Sequence, residues 1–183
     1  MKHLGEAGTT TSMQAYTSNF KMTLTFQLQN VGATQRLAAA LADICTVGDI
    51  IALHGDLGAG KTSFARYFVH AMGIEEEVPS PTFTLVQTYP LSNHSAEAIW
   101  HFDLYRIGNP AEAYELDIED AFNTGISLIE WPENLGELMP EQHLEIKLEF
   151  AVDEGARTAT LEVPRNWVER MAPVTAALSD ILA

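Results

Sequence analysis

Ile50-Ile51-Ala52-Leu53-His54-Gly55-Asp56-Leu57-Gly58-Ala59-Gly60-Lys61-Thr62 begins with four consecutive apolar residues and ends in a glycine-rich run. A short continuous apolar stretch is what a strand covered on both faces of a parallel sheet requires. Gly55 to Thr62 satisfies the phosphate-loop pattern G-x-x-x-x-G-K-[ST] in full. Chemistry accounts for each position. Gly55, Gly58 and Gly60 let the backbone turn tightly and bring its N–H groups against phosphate oxygens, an approach that side chains would block. Lys61 supplies a mobile positive charge for the β- and γ-phosphates. The Thr62 hydroxyl is suited to Mg2+. Phe64, Ala65, Phe68, Val69 and Met72 then recur at helical spacing, so Lys61–Met72 is expected to be an amphipathic helix whose positive end faces the loop. Gly73 stops it.

Working outward, Met22–Leu28 alternates as a half-buried strand, and Thr34–Ile44 carries a helical face of Leu37, Ala38, Leu41 and Ile44. Gly48-Asp49 reads as a turn. After the loop helix, Glu75-Glu76-Glu77 is a solvated turn and Pro79-Ser80-Pro81 forces an extended connection. Thr82–Tyr89 and Ala98–Leu104 read as strands joined by a hairpin loop over 90–97. Pro110–Phe122 is expected to be helical, opened by Asn109-Pro110 as cap and first position. Ile126–Glu130 is a second buried strand, and Pro132–Leu138 a short helix. Leu144–Val152 and Ala156–Val163 alternate around Asp153-Glu154-Gly155, so they form a hairpin. The fold class expected is α/β, a three-layer P-loop NTPase-like sandwich on a mixed, mainly parallel sheet. Residues 1–21, rich in Thr, Ser, Gly and Ala towards the start, are expected to be a flexible leader. Residues 22–163 form the domain, and 164–183 a helical tail.

Composition narrows the function. The 183 residues carry 25 acidic against 10 basic side chains, a net charge of −15, and the basic residues are scattered. A free-standing nucleic-acid binder clusters Lys and Arg on the phosphates it holds. If nucleic acid is involved, a partner holds it. The single cysteine, Cys45, excludes an internal disulfide. It fits a reducing cytoplasm, and its place on an apolar helix face suits core packing. No stretch approaches the ~20 apolar residues of a membrane span.

A P-loop nucleotidase also needs an acid on a neighbouring strand for Mg2+. Asp103, after Ile99-Trp100-His101-Phe102, and Glu130, after Ile126-Ser127-Leu128-Ile129, both fit. Ligands in open α/β sheets sit at such strand ends. Thr82 and Thr84 are either a switch that senses the γ-phosphate or ordinary strand residues. Trp131 either packs near the nucleotide or fills the core.

Four segments occur in order: Gly55-Asp56-Leu57-Gly58-Ala59-Gly60-Lys61-Thr62, Ser80-Pro81-Thr82-Phe83-Thr84-Leu85-Val86, His101-Phe102-Asp103-Leu104-Tyr105-Arg106 and Ile129-Glu130-Trp131-Pro132. This set resembles the bacterial TsaE (formerly YjeE) family of small ATPases from about Leu24 to Val163. The resemblance implies a Mg2+-dependent ATPase needed to make threonylcarbamoyladenosine next to the anticodon of tRNA. It would act with TsaB and TsaD homologues, touch tRNA only through that complex, and reset the complex between rounds. The resemblance also implies roles for residues. Leu57, Gly58, Ala59, Gly60, Lys61 and Thr62 would bind the phosphates of ATP, with Lys61 also serving catalysis. Thr62 and Glu130 would ligate Mg2+. Asp103 would be the acid needed for hydrolysis, orienting water. Trp131 would lie close to the nucleotide and Thr34 near the adenine. Arg106 would be a phosphate or partner contact, or a plain surface residue. Ser63 stands where the family often has a second threonine.

Two other functions compete. One is a nucleotide-gated interaction module, in which ATP binding sets docking and turnover is incidental. The other is a small-molecule kinase, but between Asp103 and Glu130 the chain offers a single arginine, Arg106, and Pro110–Phe122 is strongly acidic. A kinase lid usually carries several arginines. Absence of an Asn-Lys-x-Asp guanine motif favours adenine.

Overall fold

The apolar run becomes strand β2 (Ile50–His54), the middle strand of a seven-stranded sheet ordered β1-β7-β6-β2-β5-β4-β3. A computed structural model describes residues 21–92 and 94–183. The leader expected over 1–21 therefore lies, apart from Lys21, outside the described residues. The remaining strands are β1 (Lys21–Leu28), β3 (Val86–Pro90), β4 (Ala98–Asp103), β5 (Ile126–Glu130), β6 (Leu144–Phe150) and β7 (Arg157–Pro164). The helices are α1 (Val31–Ala42), α2 (Lys61–Ala71), α3 (Ile118–Thr124) and α4 (Met171–Ala177). Strands β6, β2, β5 and β4 run parallel at the centre, and β1, β7 and β3 join as antiparallel partners at the edges.

Two apolar cores lie on opposite faces of this sheet, which makes three layers as expected. On one face Ile51, Leu53, Ile99, Ile126 and Leu128 meet Leu37 and Leu41 of α1, Phe64 and Phe68 of α2, and Val174 of α4. On the other, Ile50, Phe102 and Ile129 meet Ala113, Ile118, Ala121 and Leu135. The alternation 51, 53 against 50 is the period-2 rule of a strand working in a sheet covered on both sides. Phe64 and Phe68 are 0 % exposed; each contributes about 1.5–3 kcal/mol by leaving water.

Three elements differ from the sequence reading. Helix α1 starts at Val31 rather than Thr34, because the Asn30 side chain accepts a hydrogen bond from Ala33 N at 3.0 Å and caps it. The strand expected over Thr82–Tyr89 begins only at Val86. Leu85 sits at φ 66°, and its N–H donates to Pro81 O at 2.6 Å, which closes residues 81–85 into a turn. The helix expected over Pro110–Phe122 is split into a 3-10 helix, Pro110–Leu116, and α3. Asp117 at φ 56° breaks it. The Asn109 cap is present, with Glu112 closing a capping box.

Residues 164–183 carry α4 and pack into the first core through Trp167, Met171, Val174 and Leu178. Arg170 ties them to the sheet, donating to both Asp49 carboxylate oxygens and to Ile44 O. The last residues hydrogen-bond to β1, Gln27 N to Ile181 O at 2.7 Å and Ala183 N to Thr25 O at 2.8 Å. That covers part of an otherwise open sheet edge. Cys45 is buried, as expected for a core residue, and burial pushes its thiol well above the usual range.

Candidate phosphate and cation site

The glycine loop leaves the carboxyl end of β2 and enters α2, with Gly55, Gly58 and Gly60 at φ 137°, 81° and 110°. These are left-handed angles that residues with a Cβ rarely adopt. Gly55 has a second constraint: a Cβ there would lie 2.4 Å from Leu148 O on the neighbouring strand. Gly55→Ala is therefore expected to cost about 3 kcal/mol through strain and displacement of β6. That corresponds to roughly 6–12 °C in the thermal midpoint of a domain this size. A midpoint within about 2 °C of the parent by circular dichroism would show that the loop accommodates the methyl group.

The two candidate acids emerge beside the loop. Asp103 ends β4 and Glu130 ends β5; they are register partners, and Glu130 also pairs with Leu53 of β2. Period-2 alternation turns His101, Asp103, Leu128 and Glu130 towards the α2 side of the sheet. Both carboxylates are buried, Asp103 at 4 % exposure and Glu130 at 2 %. Thr62 Oγ1 donates to Glu130 Oε2 at 2.9 Å. His101 Nε2 lies 2.9 Å from Glu130 Oε1. Thr82 Oγ1 donates to Asp103 Oδ2 at 2.6 Å, Ser80 Oγ lies 2.7 Å from Thr82 Oγ1, and Tyr105 N donates to Asp103 Oδ1 at 3.2 Å.

Lys61 is 5 % exposed. Its ammonium donates to Gly55 O at 2.5 Å and Asp56 O at 3.1 Å, and sits 3.9 Å from the centroid of the Trp131 ring. Burial holds this ammonium below its ordinary pKa, while the carboxylates of Glu130 and Asp103 pull it back up. Trp131 adopts φ 59° and tilts against Tyr105 with ring centroids 5.0 Å apart. The half-buried indole both borders the second core and faces Lys61.

Leu57, Gly58, Gly60, Lys61, Thr62, Asp103, Glu130 and Trp131 thus line one open cleft. Thr34 and Ala59 do not; they line a neighbouring pocket with Val31, Tyr67, Leu148 and Arg157, on the far side of Gly60 and Ser63. Thr82 also lines the first cleft, held by Asp103 in the turn rather than in a strand. Arg106 stands 4.6 Å over the exposed Phe83 ring.

Two contributors were not read from the sequence. Arg157 on β7 donates to Ala59 O at 3.0 Å and Gly58 O at 3.2 Å, bracing the loop from behind while lying over Phe150. His101 holds Glu130. Nothing local marks Arg157, which sits 98 residues beyond Ala59. His101 had a signal, since it is a polar residue alternating with apolar ones in a buried strand.

The donor set suits a hard cation. A threonine hydroxyl and a carboxylate oxygen stand 2.9 Å apart with a second carboxylate beside them. Mg2+ takes one or two such oxygens and completes its shell with water and phosphate oxygens. Among the described residues no three His, Cys, Asp or Glu side chains converge into a self-sufficient metal cage.

A sequence profile of the family described as "Threonylcarbamoyl adenosine biosynthesis protein TsaE" matches residues 28–159. A relative named "tRNA threonylcarbamoyladenosine biosynthesis protein TsaE" from Rickettsia felis is 43% identical over 135 residues, 73% of this chain and 77% of the relative. One of the same name from Bacillus subtilis is 35% identical over 131 residues, 72% and 80% of the two chains. Among solved structures, the crystal structure of Bacillus subtilis YdiB aligns with TM-score 0.68 and 28% identity, covering 87% of this chain and 97% of that one.

Proposed function

The chain belongs to the TsaE family, and from that premise we propose that it is a Mg2+-dependent ATPase serving threonylcarbamoyladenosine formation on tRNA. The observation that carries the proposal is the meeting of Thr62, Glu130 and Asp103 at the mouth of a full phosphate loop. Leu57 to Thr62 would hold the phosphates of ATP, with Lys61 moving from the Gly55 and Asp56 carbonyls to their oxygens. Thr62 and Glu130 would hold Mg2+, which when bound neutralises charge on the β- and γ-phosphate oxygens. Asp103 would orient the attacking water, with Thr82 fixing one of its oxygens. Trp131 would shield the phosphates, and Thr34 would lie towards the adenine in the neighbouring pocket.

The charge of the cleft supports a dependence on partners. Lys61 is the one basic residue among the described lining of the cleft, while Arg106 is engaged on Phe83 and Arg157 on the back of the loop. Phosphoryl transfer gains much of its rate from an arginine placed on the transition-state charge. TsaB and TsaD homologues would complete the site and would hold the tRNA, which suits the net charge of −15. No helix among the described residues is long and apolar enough to cross a membrane.

One observation favours the gating alternative. Leu57 and Phe83 are large apolar side chains, 80 % and 83 % exposed, on the two segments that border the phosphate cleft. A bound nucleotide could therefore set how they are presented to a partner. The kinase reading has no comparable support.

The test is ATP hydrolysis by the purified protein alone, and with TsaB, TsaD and tRNA. Low activity that rises at least tenfold in the complex is expected. Equal, brisk activity without partners, or phosphate delivered to a small acceptor, would overturn the proposal.

A further inference from the structure

We propose that His101 is the positioning residue for Glu130, and that its Nε2–H sets the protein's affinity for the divalent cation without touching it. The inference rests on the reading of Thr62 and Glu130 as the cation site.

His101 is 0 % exposed, on a strand whose inward neighbour Ile99 is part of the apolar core. An imidazole there carries two polar nitrogens into a layer that a leucine or phenylalanine would fill without them. Nδ1 has no partner among the described residues, so the ring is not kept for a symmetric network. Among the described residues its one hydrogen-bond partner is Glu130 Oε1, 2.9 Å away. A carboxylate oxygen accepts, so Nε2 is the nitrogen that donates to it. Glu130 is then held at both ends, Oε1 by His101 and Oε2 by Thr62. A free glutamate has three side-chain torsions to order when it captures a cation. With Oε1 pinned from the sheet, Oε2 alone is presented to the loop, and the ordering is done before a ligand arrives. Ligating carboxylates are commonly fixed by such an outer hydrogen bond, and its loss typically costs ten- to a hundredfold in metal affinity.

The experiment compares the full-length parent with His101→Gln, which can place an amide N–H near the Nε2 position, and with His101→Leu, which packs but donates nothing. Binding of adenylyl imidodiphosphate is followed by calorimetry across a Mg2+ titration and again in EDTA. His101→Leu is expected to raise the Mg2+ concentration for half-maximal enhancement of binding by about tenfold or more. Its EDTA affinity should match the parent's, and His101→Gln should recover most of the loss. If leucine is not tolerated, His101→Asn, whose amide is too short to reach Glu130, takes its place with the same expectation. An unchanged Mg2+ requirement in the leucine or asparagine variant overturns the proposal, as does an equal loss with and without Mg2+. If Mg2+ fails to enhance binding even in the parent, the cation site itself is wrong, a different failure from that of His101.

Discussion

Asp103→Ala is expected to bind ATP within about threefold of the parent while hydrolysing it roughly 10²–10⁴-fold more slowly in the partner complex, the range a positioned acid or base contributes. The separation follows from geometry. Asp103 is on β4, one strand further from the loop than Glu130, and its bonds run to Thr82 and Tyr105 N rather than to Thr62 or Lys61. Removing it leaves the cradle and the Thr62–Glu130 pair intact but releases Thr82 and the group that would aim water. Asp103→Asn controls for packing, since it keeps the shape and removes the charge. Single-turnover hydrolysis beside equilibrium binding reads both quantities. Turnover within tenfold of the parent would place the water-orienting role elsewhere. If hydrolysis falls and tRNA modification persists, nucleotide binding is the essential step and the gating reading replaces the ATPase reading.

Lys61→Ala should act on binding itself. The ammonium is the single basic group lining the cleft among the described residues, and hydrogen bonds to charged groups contribute about 1.5–3 kcal/mol each. ATP affinity should fall roughly 10- to 100-fold, since every 1.4 kcal/mol is a factor of ten. Alanine is a strong helix former, so α2 should still start at this position. An unchanged thermal midpoint with lost affinity would assign the effect to the phosphates. Affinity within about twofold of the parent would mean that the loop N–H groups hold the nucleotide without the lysine, and the phosphate role given to Lys61 would fail.

Much of the fold was legible in the sequence because its cues are local. A continuous apolar run marks a strand covered on both faces, and Ile50–Leu53 lies at the centre of the sheet. The 3.6-residue spacing of Phe64, Ala65, Phe68 and Val69 marks α2, whose inward face is those residues. The misreadings came where local cues compete. Thr82, Phe83 and Thr84 have strand propensity, yet the Leu85-to-Pro81 hydrogen bond and the pull of Asp103 on Thr82 hold them in a turn. Asn30 is a cap residue, four residues ahead of Thr34, where the apolar pattern suggested the helix begins.

By itself the sequence determined the phosphate loop, since backbone freedom at Gly55, Gly58 and Gly60 and the charge of Lys61 are properties of eight consecutive residues. It also placed Asp103 and Glu130 near the ends of strands, though β4 stops at Asp103 rather than at Leu104. Their adjacency was decided only by tertiary structure, because strand order and register are set by which apolar faces pack together, and a one-residue slip would turn either acid to the other side. The same holds for His101 behind Glu130 and Arg157 behind the loop: hydrogen bonds across 29 and 98 residues exist only after the sheet has brought β4 beside β5 and carried β7 round to the loop.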